Sequence, residues 1–415
     1  MLDYKNKYLK YKQKYFNLKK MIGGGTDATY EIIKTIILKY KDSKGLDNTK
    51  KYTVIEKLGE GAAGIVYKIK ENDTENFYIF KMGKHDDIFL SNDEGIKSEM
   101  LKGKVHDDML VSFQGKTPND FLISKYNGKN LYQEFSSNNK TKKKYTDVTI
   151  KLLKLLHQIN SNDIFHNDIK LENLTFRDNE VYLIDFGLLT KGISHMGSLI
   201  SMSFNGLIGL LIEYKYNEYN ETFHELQKVI TNTDMVGFFY CCIDLLFLLD
   251  NKHKYQSINI LYELGITKLK IPDLYRLFNL FYFILPTSKR NITTLNVNFT
   301  LSYFNFLLPN NLLPNYNLLP TEYDTKIIFG EFPPENTNLF RFMAYIYNKI
   351  ELYLIKTESE QKWYKEFLKI MSACFLPEFN YDEFNKKFED IVKRFSENPH
   401  APAHVPSSDS AFPLI

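Results

Sequence analysis

The chain has 415 residues, of which 44% are hydrophobic and 25% are charged, which is the composition of an ordinary globular protein. The net charge is +3, but residues 1–20 alone carry +6, so the rest of the chain sums to −3. This distribution excludes a broad nucleic-acid-binding surface and leaves such a character only at the basic N-terminus.

The cysteines and the apolar runs exclude two further classes. The three cysteines have no metal-ligand spacing, and Cys241 and Cys242 are adjacent, which is unfavourable for a disulfide and favours a reducing, intracellular compartment. The longest apolar run, Met235 to Leu249, is interrupted by Asp244 and is shorter than the roughly 20 residues that span a bilayer. We therefore expect no membrane span.

The first 50 residues are predicted to be helical and to precede the main fold. Residues 1–25 form a basic helical leader that ends in three glycines, with a tyrosine on one face at every third or fourth position. Residues 26–50 form a helical linker, because apolar residues recur at helical spacing: Ile32, Ile33, Ile36, Ile37 and Tyr40.

Two lobes follow, with an α+β organisation. Residues 51–126 are predicted to form a small sheet with one inserted helix; the strands are 52–58, 64–70, 77–81 and 120–125, and the helix is Lys84–Lys104. Residues 127–397 are predicted to be mainly helical, and residues 398–415 to be disordered. The helical lobe contains a strand pair at 173–176 and 181–184, an irregular insert around 286–340, and helices at 339–355 and 361–396.

A glycine-rich loop joins the first two strands of the sheet. Its glycines are Gly59, Gly61 and Gly64, and the chain continues as a strand through Val66. A dinucleotide-binding fingerprint opens a helix instead, so this hairpin is better suited to laying backbone N–H groups over the phosphates of ATP. A glycine-rich turn without a ligand is the alternative for this motif taken alone.

A lysine follows at the end of the strand that comes next. Lys81 is placed to reach the α- and β-phosphates of a nucleotide bound under the glycine loop. Its ammonium then needs a carboxylate on the following helix. Glu99 is the preferred partner, and Glu94 is the alternative.

The segment with the most specific chemistry runs from His166 to Asn173 and is followed by Asp185-Phe-Gly187. Asp168 is placed to accept the proton of a substrate hydroxyl, and Lys170 to neutralise the γ-phosphate. Asn173 and Asp185 offer the oxygen ligands that Mg²⁺ prefers. Four motifs in one order at compatible spacing predict ATP- and Mg²⁺-dependent phosphoryl transfer.

On these motifs the chain resembles the eukaryotic protein kinase superfamily over roughly residues 51–397. The resemblance implies the bilobal kinase fold, protein substrates and, because Lys170 follows the catalytic aspartate, a serine/threonine specificity. The run 197–209 and the His-Asn-Asp sequence at 166–168 are similar to the casein kinase I and vaccinia-related kinase group. Thr233-Asp234 then resembles the start of the buried central helix, with Asp234 bracing the catalytic loop.

One departure from the family pattern bears on regulation. Asn167 stands where many kinases have an arginine that pairs with a phosphate on the activation loop. A neutral amide does not anchor a phosphate, so we expect activity without phosphorylation of residues 188–209.

The leader, residues 1–25, suggests where the protein acts. Its Tyr-Lys-Asn-Lys-Tyr start and glycine end are similar to leaders on many giant DNA virus proteins, which implies a viral kinase in the host cytoplasm, the viral factory or the particle. A solvated extension is the alternative. The sequence predicts nothing about the oligomeric state.

Two other functions remain to be distinguished from an active protein kinase. A pseudokinase that acts as a viral or virion scaffold keeps the fold without turnover, whereas here Lys81, Asp168, Asn173 and Asp185 are all present. A small-molecule phosphotransferase shares the His-x-Asp pattern but usually lacks Lys170 and the Asp-Phe-Gly sequence.

Overall fold

A computed structural model describes most of the chain between residues 35 and 397. The described residues are 35–41, 47–60, 65–82, 94, 97–105, 111–113, 121–137, 140–191, 233–252, 257–266, 276, 280, 283–284, 315–376 and 379–397. The strands are β1 Thr35–Lys41, β2 Asp47–Glu60, β3 Ile65–Glu71, β4 Phe77–Met82, β5 Val111–Phe113, β6 Phe121–Lys125, β7 Ile164–Phe165, β8 Leu174–Arg177, β9 Glu180–Leu183 and β10 Thr190–Lys191. The helices are α1 Leu131–Ser136, α2 Lys142–Asn160, α3 Thr233–Leu249, α4 Ser257–Glu263, α5 Glu322–Phe329, α6 Thr337–Tyr353, α7 Glu358–Met371 and α8 Tyr381–Glu397.

The N-terminal half of the described chain is built on one antiparallel sheet. Its six strands lie in the order β1-β2-β3-β4-β6-β5. Side chains alternate between the two faces of a strand, so one face collects a compact cluster of Tyr52, Ile69, Phe80 and Ile123. The predicted strands 52–58, 64–70, 77–81 and 120–125 are confirmed, and β5 was missed because it is only three residues long.

The prediction of a helical linker over residues 26–50 was wrong where the structure describes it. Thr35–Lys41 and the start of β2 pair as antiparallel strands, with Ile37 opposite Lys51. The run Thr35-Ile-Ile is rich in β-branched residues, which favour strands. Its apolar pattern is so short that it fits both the spacing of a helix and the alternation of a strand. Residues 1–25, and with them the predicted leader, lie outside the described residues.

The C-terminal half is helical and contains the larger core. Helix α3 is largely apolar and its residues 234–248 are buried, and α1, α2, α6, α7 and α8 pack around it and one another. A helix with this pattern belongs in the middle of a core. Among the described residues no helix combines the length and apolar character that crossing a bilayer requires. The predicted α+β, two-lobed architecture is confirmed.

The predicted strand pair of the helical half forms a tight hairpin of β8 and β9. Asp178 and Asn179 occupy its turn with φ of 51° and 61°, so both adopt the left-handed conformation that a two-residue hairpin of this kind requires. Asp and Asn tolerate that conformation better than other non-glycine residues. The hairpin places its two ends, Asn173 and Asp185, next to each other.

Two predictions for the last third of the chain need correction. The insert 286–340 is not irregular throughout, because α5 lies within it and α6 begins at Thr337; residues 286–314 are outside the described part. The helix predicted over 361–396 is two helices, α7 and α8, separated by a 3-10 turn at Ser372–Phe375. The tail 398–415 also lies outside the described residues.

Candidate active site

Lys81 lies in the middle of the sheet, where β4 pairs with both neighbouring strands. Val66 of β3 and Leu122 of β6 lie opposite it. Its Nζ is 2.6 Å from Oε2 of Glu94 and 3.1 Å from Oδ1 of Asp185. Burial by itself lowers the pKa of the Lys81 ammonium, but the two carboxylates outweigh burial and raise that pKa above its ordinary value. Lys81 is therefore a fixed cation beside two carboxylates.

The partner of Lys81 is Glu94, the alternative, and the preference for Glu99 was wrong. Glu94 is 5% exposed, and its Oε1 accepts a hydrogen bond from the backbone N–H of Phe186 at 3.2 Å. Glu99 lies in a 3-10 turn at Glu99–Leu101, where its side chain is 61% exposed and pairs with Lys102 at 3.6 Å. Glu94 has a helical backbone and Glu99 a 3-10 backbone, and the two carboxylates pair with different lysines.

The catalytic-loop residues 166–173 hold a compact polar cluster around Asp168. Oδ2 of Asp168 accepts hydrogen bonds from Lys170 Nζ at 2.6 Å and from Asn173 Nδ2 at 2.9 Å. Asn173 Nδ2 also donates to the Asp168 carbonyl at 2.9 Å. Asp168 and Asn173 are both buried, at 7% and 5% exposure. The three residues proposed from the sequence for proton acceptance, charge neutralisation and metal binding are thus in direct contact.

Asn173 and Asp185 are brought together by the β8–β9 hairpin. The backbone N–H of Ile184, which precedes Asp185, donates to the Asn173 carbonyl at 3.0 Å. Asp185 itself has a left-handed φ of 64° and a half-exposed side chain, while Phe186 is buried against His166. The Asn173 amide nitrogen donates to Asp168, so the side-chain oxygen Oδ1 is the atom that would bind a metal ion. A carboxylate and an amide oxygen at adjacent positions are the donor set that suits Mg²⁺.

The catalytic loop is anchored from below by the start of helix α3. Asp234 is 1% exposed, and its two carboxylate oxygens accept the backbone N–H groups of His166 at 2.9 Å and Asn167 at 2.8 Å. Gly237, one turn further, lies so close to the loop that a Cβ there would be 2.6 Å from the Ile169 carbonyl oxygen. Glycine at this position lets the helix touch the loop backbone directly.

Asn167 connects the catalytic loop to the segment that follows Asp185-Phe-Gly. Its Nδ2 lies within hydrogen-bonding distance of the Leu188 carbonyl at 2.9 Å and of Thr190 Oγ1 at 2.9 Å. Asn167 has a φ of 64°, a conformation that asparagine tolerates. A neutral amide therefore makes this connection without a phosphate.

The proposed nucleotide loop is described only at its flanks. Gly59 of β2 lies opposite Val66 of β3, one position before the last pair of the two strands, and a Cβ at Gly59 would meet nothing within 4 Å. Gly61 and Gly64 lie outside the described residues. The open space at Gly59 is compatible with a ligand that approaches the backbone, and the assignment of these four residues to ATP stays a prediction.

Comparisons with known proteins find similarity to protein kinases over part of the chain. Residues 52–203 match the family described as protein kinase domain. A probable casein kinase I homolog from Encephalitozoon cuniculi is 32% identical over 157 residues, which cover 36% of this chain and 49% of that protein. A serine/threonine-protein kinase from Arabidopsis thaliana is 27% identical over 156 residues, covering 36% of this chain and 33% of that protein. The chain thus spans half or less of the curated relatives that it matches.

One solved structure in the comparison is a kinase domain. Its crystal structure has 16% sequence identity, a TM-score of 0.48, and coverage of 83% of this chain and 95% of that one. The match of residues 52–203 spans the glycine loop, the Lys81–Glu94 pair, the catalytic loop and Asp185-Phe-Gly, all described above where the structure covers them. Residues 52–203 are thus similar to protein kinase domains, and the described residues have a bilobal α+β fold of the kinase type.

Proposed function

We propose that this protein transfers the γ-phosphoryl group of ATP to serine and threonine hydroxyls of protein substrates. The observation that carries the proposal is the joint presence of the Lys81–Glu94 ion pair and of Asp185 at 3.1 Å from the same lysine. In protein kinases the lysine–glutamate pair and the Asp-Phe-Gly aspartate that holds magnesium must both be in place for transfer. The similarity to serine/threonine kinases, together with Lys170 beside Asp168, supports the choice of hydroxyl.

The side chains divide the chemical work as follows. Asp168 accepts the proton of the substrate hydroxyl as that oxygen bonds to the γ-phosphorus, and the bond from the γ-phosphorus to the bridging oxygen of ADP breaks. Lys170, which already contacts Asp168, balances the charge on the transferring group. Lys81 binds the phosphates that remain with ADP, and Glu94 holds Lys81 in place.

Asn173 and Asp185 are the residues that would hold magnesium. The ion supplies Lewis-acid stabilisation of charge on the phosphate oxygens. The protein contributes orientation: the Asn173 amide is fixed by its two hydrogen bonds to Asp168, and the β8–β9 hairpin fixes its distance from Asp185. An ordered ligand pair of this kind loses little conformational entropy when the site fills.

The test is a transfer assay on the purified full-length protein. We expect label from γ-labelled ATP to appear on generic acidic or basic proteins in the presence of Mg²⁺, and hydrolysis of the products to yield phosphoserine and phosphothreonine. Phosphotyrosine alone would contradict the choice of hydroxyl. ATP binding without transfer to any protein would support the pseudokinase alternative.

A further inference from the structure

A chain of hydrogen bonds joins the C-terminal helix to the catalytic loop. The hydroxyl of Tyr381, the first residue of α8, donates to Asn160 Oδ1. Asn160 Nδ2 donates to Asp234 Oδ2 at 2.9 Å. Asp234 in turn accepts the backbone N–H groups of His166 and Asn167, which directly precede Asp168. A residue 221 positions from Asn160 in the sequence is thus connected to the catalytic loop through two side chains.

Asn160 uses both the nitrogen and the oxygen of its side-chain amide in these hydrogen bonds. It is the last residue of α2, and besides Asp234 its Nδ2 reaches the carbonyl of Ile164, the first residue of β7, at 2.9 Å. Its oxygen accepts from Tyr381. An amide carries one acceptor group and two donor hydrogens, so all three contacts require the same orientation. A single side chain therefore fixes the end of the helix, the strand that leads into the catalytic loop, and Asp234.

Tyr381 is held in position by contacts that do not involve its hydroxyl. Its ring stacks on His157 with the ring centroids 4.5 Å apart and the planes 3° from parallel. Phe379 packs edge-on against the same tyrosine ring, with the ring centroids 4.7 Å apart. Helix α8 is also fixed along α2 by the Thr146 hydroxyl, which donates to the Val392 carbonyl at 2.8 Å. The Tyr381 hydroxyl is therefore preorganised toward Asn160, and losing it should leave the packing of α8 intact.

We propose that Tyr381 and Asn160 are positioning residues, which set the catalytic loop for phosphoryl transfer through Asp234. The expected change in kcat rests on the proposed function. The expected change in the catalytic-loop backbone rests on the hydrogen bonds alone. Asp234 is a buried carboxylate with three identified donors, and the Asn160 amide is the only one of the three that is a side chain. A buried carboxylate that loses a donor must find another partner, and the loop amides on the same carboxylate move with it.

The test compares Tyr381→Phe with Tyr347→Phe in the full-length protein. Each substitution removes one hydroxyl, and the Tyr347 hydroxyl donates to Glu351 of the same helix at 3.0 Å, away from the Asn160–Asp234 contacts. For Tyr381→Phe we expect kcat to fall by about three- to tenfold, the effect of one hydrogen bond, with the KM for ATP unchanged. The Tyr347→Phe variant should retain both constants.

Amide hydrogen exchange provides a readout that does not depend on activity. Exchange at His166 and Asn167 should be faster in Tyr381→Phe than in the wild type and unchanged in Tyr347→Phe. If the wild type transfers no phosphoryl group, the proposed function fails, while faster exchange would still support the hydrogen-bond chain. Equal exchange in both variants would overturn the inference whatever the activity.

A double variant separates positioning from general stability. If Tyr381 acts through Asn160, adding Tyr381→Phe to Asn160→Ala should lower kcat no further than Asn160→Ala alone. Additive losses in kcat would overturn the inference. So would a Tyr381→Phe variant whose lower kcat is matched by a raised KM and by uniformly faster exchange, because that pattern indicates a general loss of structure.

Discussion

The two halves of this protein hold the residues proposed for catalysis by different means. In the N-terminal sheet Lys81 forms an ion pair with Glu94. Among the described residues the sheet's own cluster is small, with Tyr52, Ile69, Phe80 and Ile123 buried in it. In the helical half the catalytic loop lies on a continuous core that runs from α1 to α8, and Asp234 binds the loop backbone from within it.

The difference indicates where the site is adjustable. A loop whose backbone is bonded to a buried carboxylate on a central helix can move only at the cost of core contacts. The Lys81–Glu94 contact joins two side chains on separate elements, so it can open while the sheet stays folded. The catalytic loop should therefore behave as a fixed platform, and the lysine pair as the contact that completes the site.

The largest expected effect falls on the magnesium pair. Asp185→Ala removes a carboxylate that would bind the ion and that contacts Lys81 at 3.1 Å. We expect kcat to fall by about 1,000-fold, because charge on the transferring group loses its counter-charge. Steady-state transfer at saturating ATP measures this, with circular dichroism as the control for folding. A loss of less than tenfold would show that Asp185 is not a ligand.

The next effect concerns the contact between helix α3 and the catalytic loop. Gly237→Ala places a methyl group 2.6 Å from the Ile169 carbonyl oxygen, so helix α3 and the catalytic loop must separate. We expect the free energy of unfolding to fall by about 1–3 kcal/mol, as for overpacked cores, with a loss of activity beside it. Urea unfolding and kcat are the measurements. Full activity with unchanged stability would mean that the loop is not bound to the helix as described.

A smaller effect is expected from the lysine pair. Glu94→Gln removes the negative charge beside Lys81, and we expect kcat/KM for ATP to fall by about tenfold with no change in the unfolding midpoint. Glu99→Gln is the matched control, since it changes an exposed glutamate five residues away. If both variants lose the same activity, the Lys81–Glu94 contact is not part of the site.

These two glutamates also show what sequence reasoning reached and what it did not. The order of the glycine loop, Lys81, Asp168, Asn173 and Asp185 predicts the chemistry, because each role demands a particular residue type at a particular spacing. The choice between Glu94 and Glu99 depends on where a helix ends and how it sits on the sheet. Those are tertiary properties, and nothing within the helix sequence determines them.

Local backbone demands were predictable, and long-range contacts were not. The Asp178-Asn179 turn consists of two residues that tolerate a positive φ, and it lies between the two strands predicted at 173–176 and 181–184. Strand β1 was predicted as a helix because the apolar pattern of seven residues fits both a helix and a strand. Its pairing with β2 makes it a strand. The Tyr381–Asn160 contact has no sequence signal, since neither residue belongs to a motif.

Removal of phosphate from the protein is expected to have no effect on its activity. Asn167 links the catalytic loop to Leu188 and Thr190 through a neutral amide, so the link needs no phosphate. We expect phosphatase-treated protein to keep most of its transfer rate. The measurement is the initial rate before and after treatment. A loss that preincubation with ATP restores would show that phosphorylation within 188–209 completes the site.

Single-turnover transfer by the wild type and by Asp168→Ala tests the central claim most directly. Asp168 is 7% exposed and contacts both Lys170 and Asn173, so its removal takes the proton acceptor from the middle of the cluster. The account predicts a loss of about 10²- to 10⁴-fold in the rate of phosphoryl transfer, with ATP binding retained. Transfer by Asp168→Ala at a near-wild-type rate would contradict the assignment of this site.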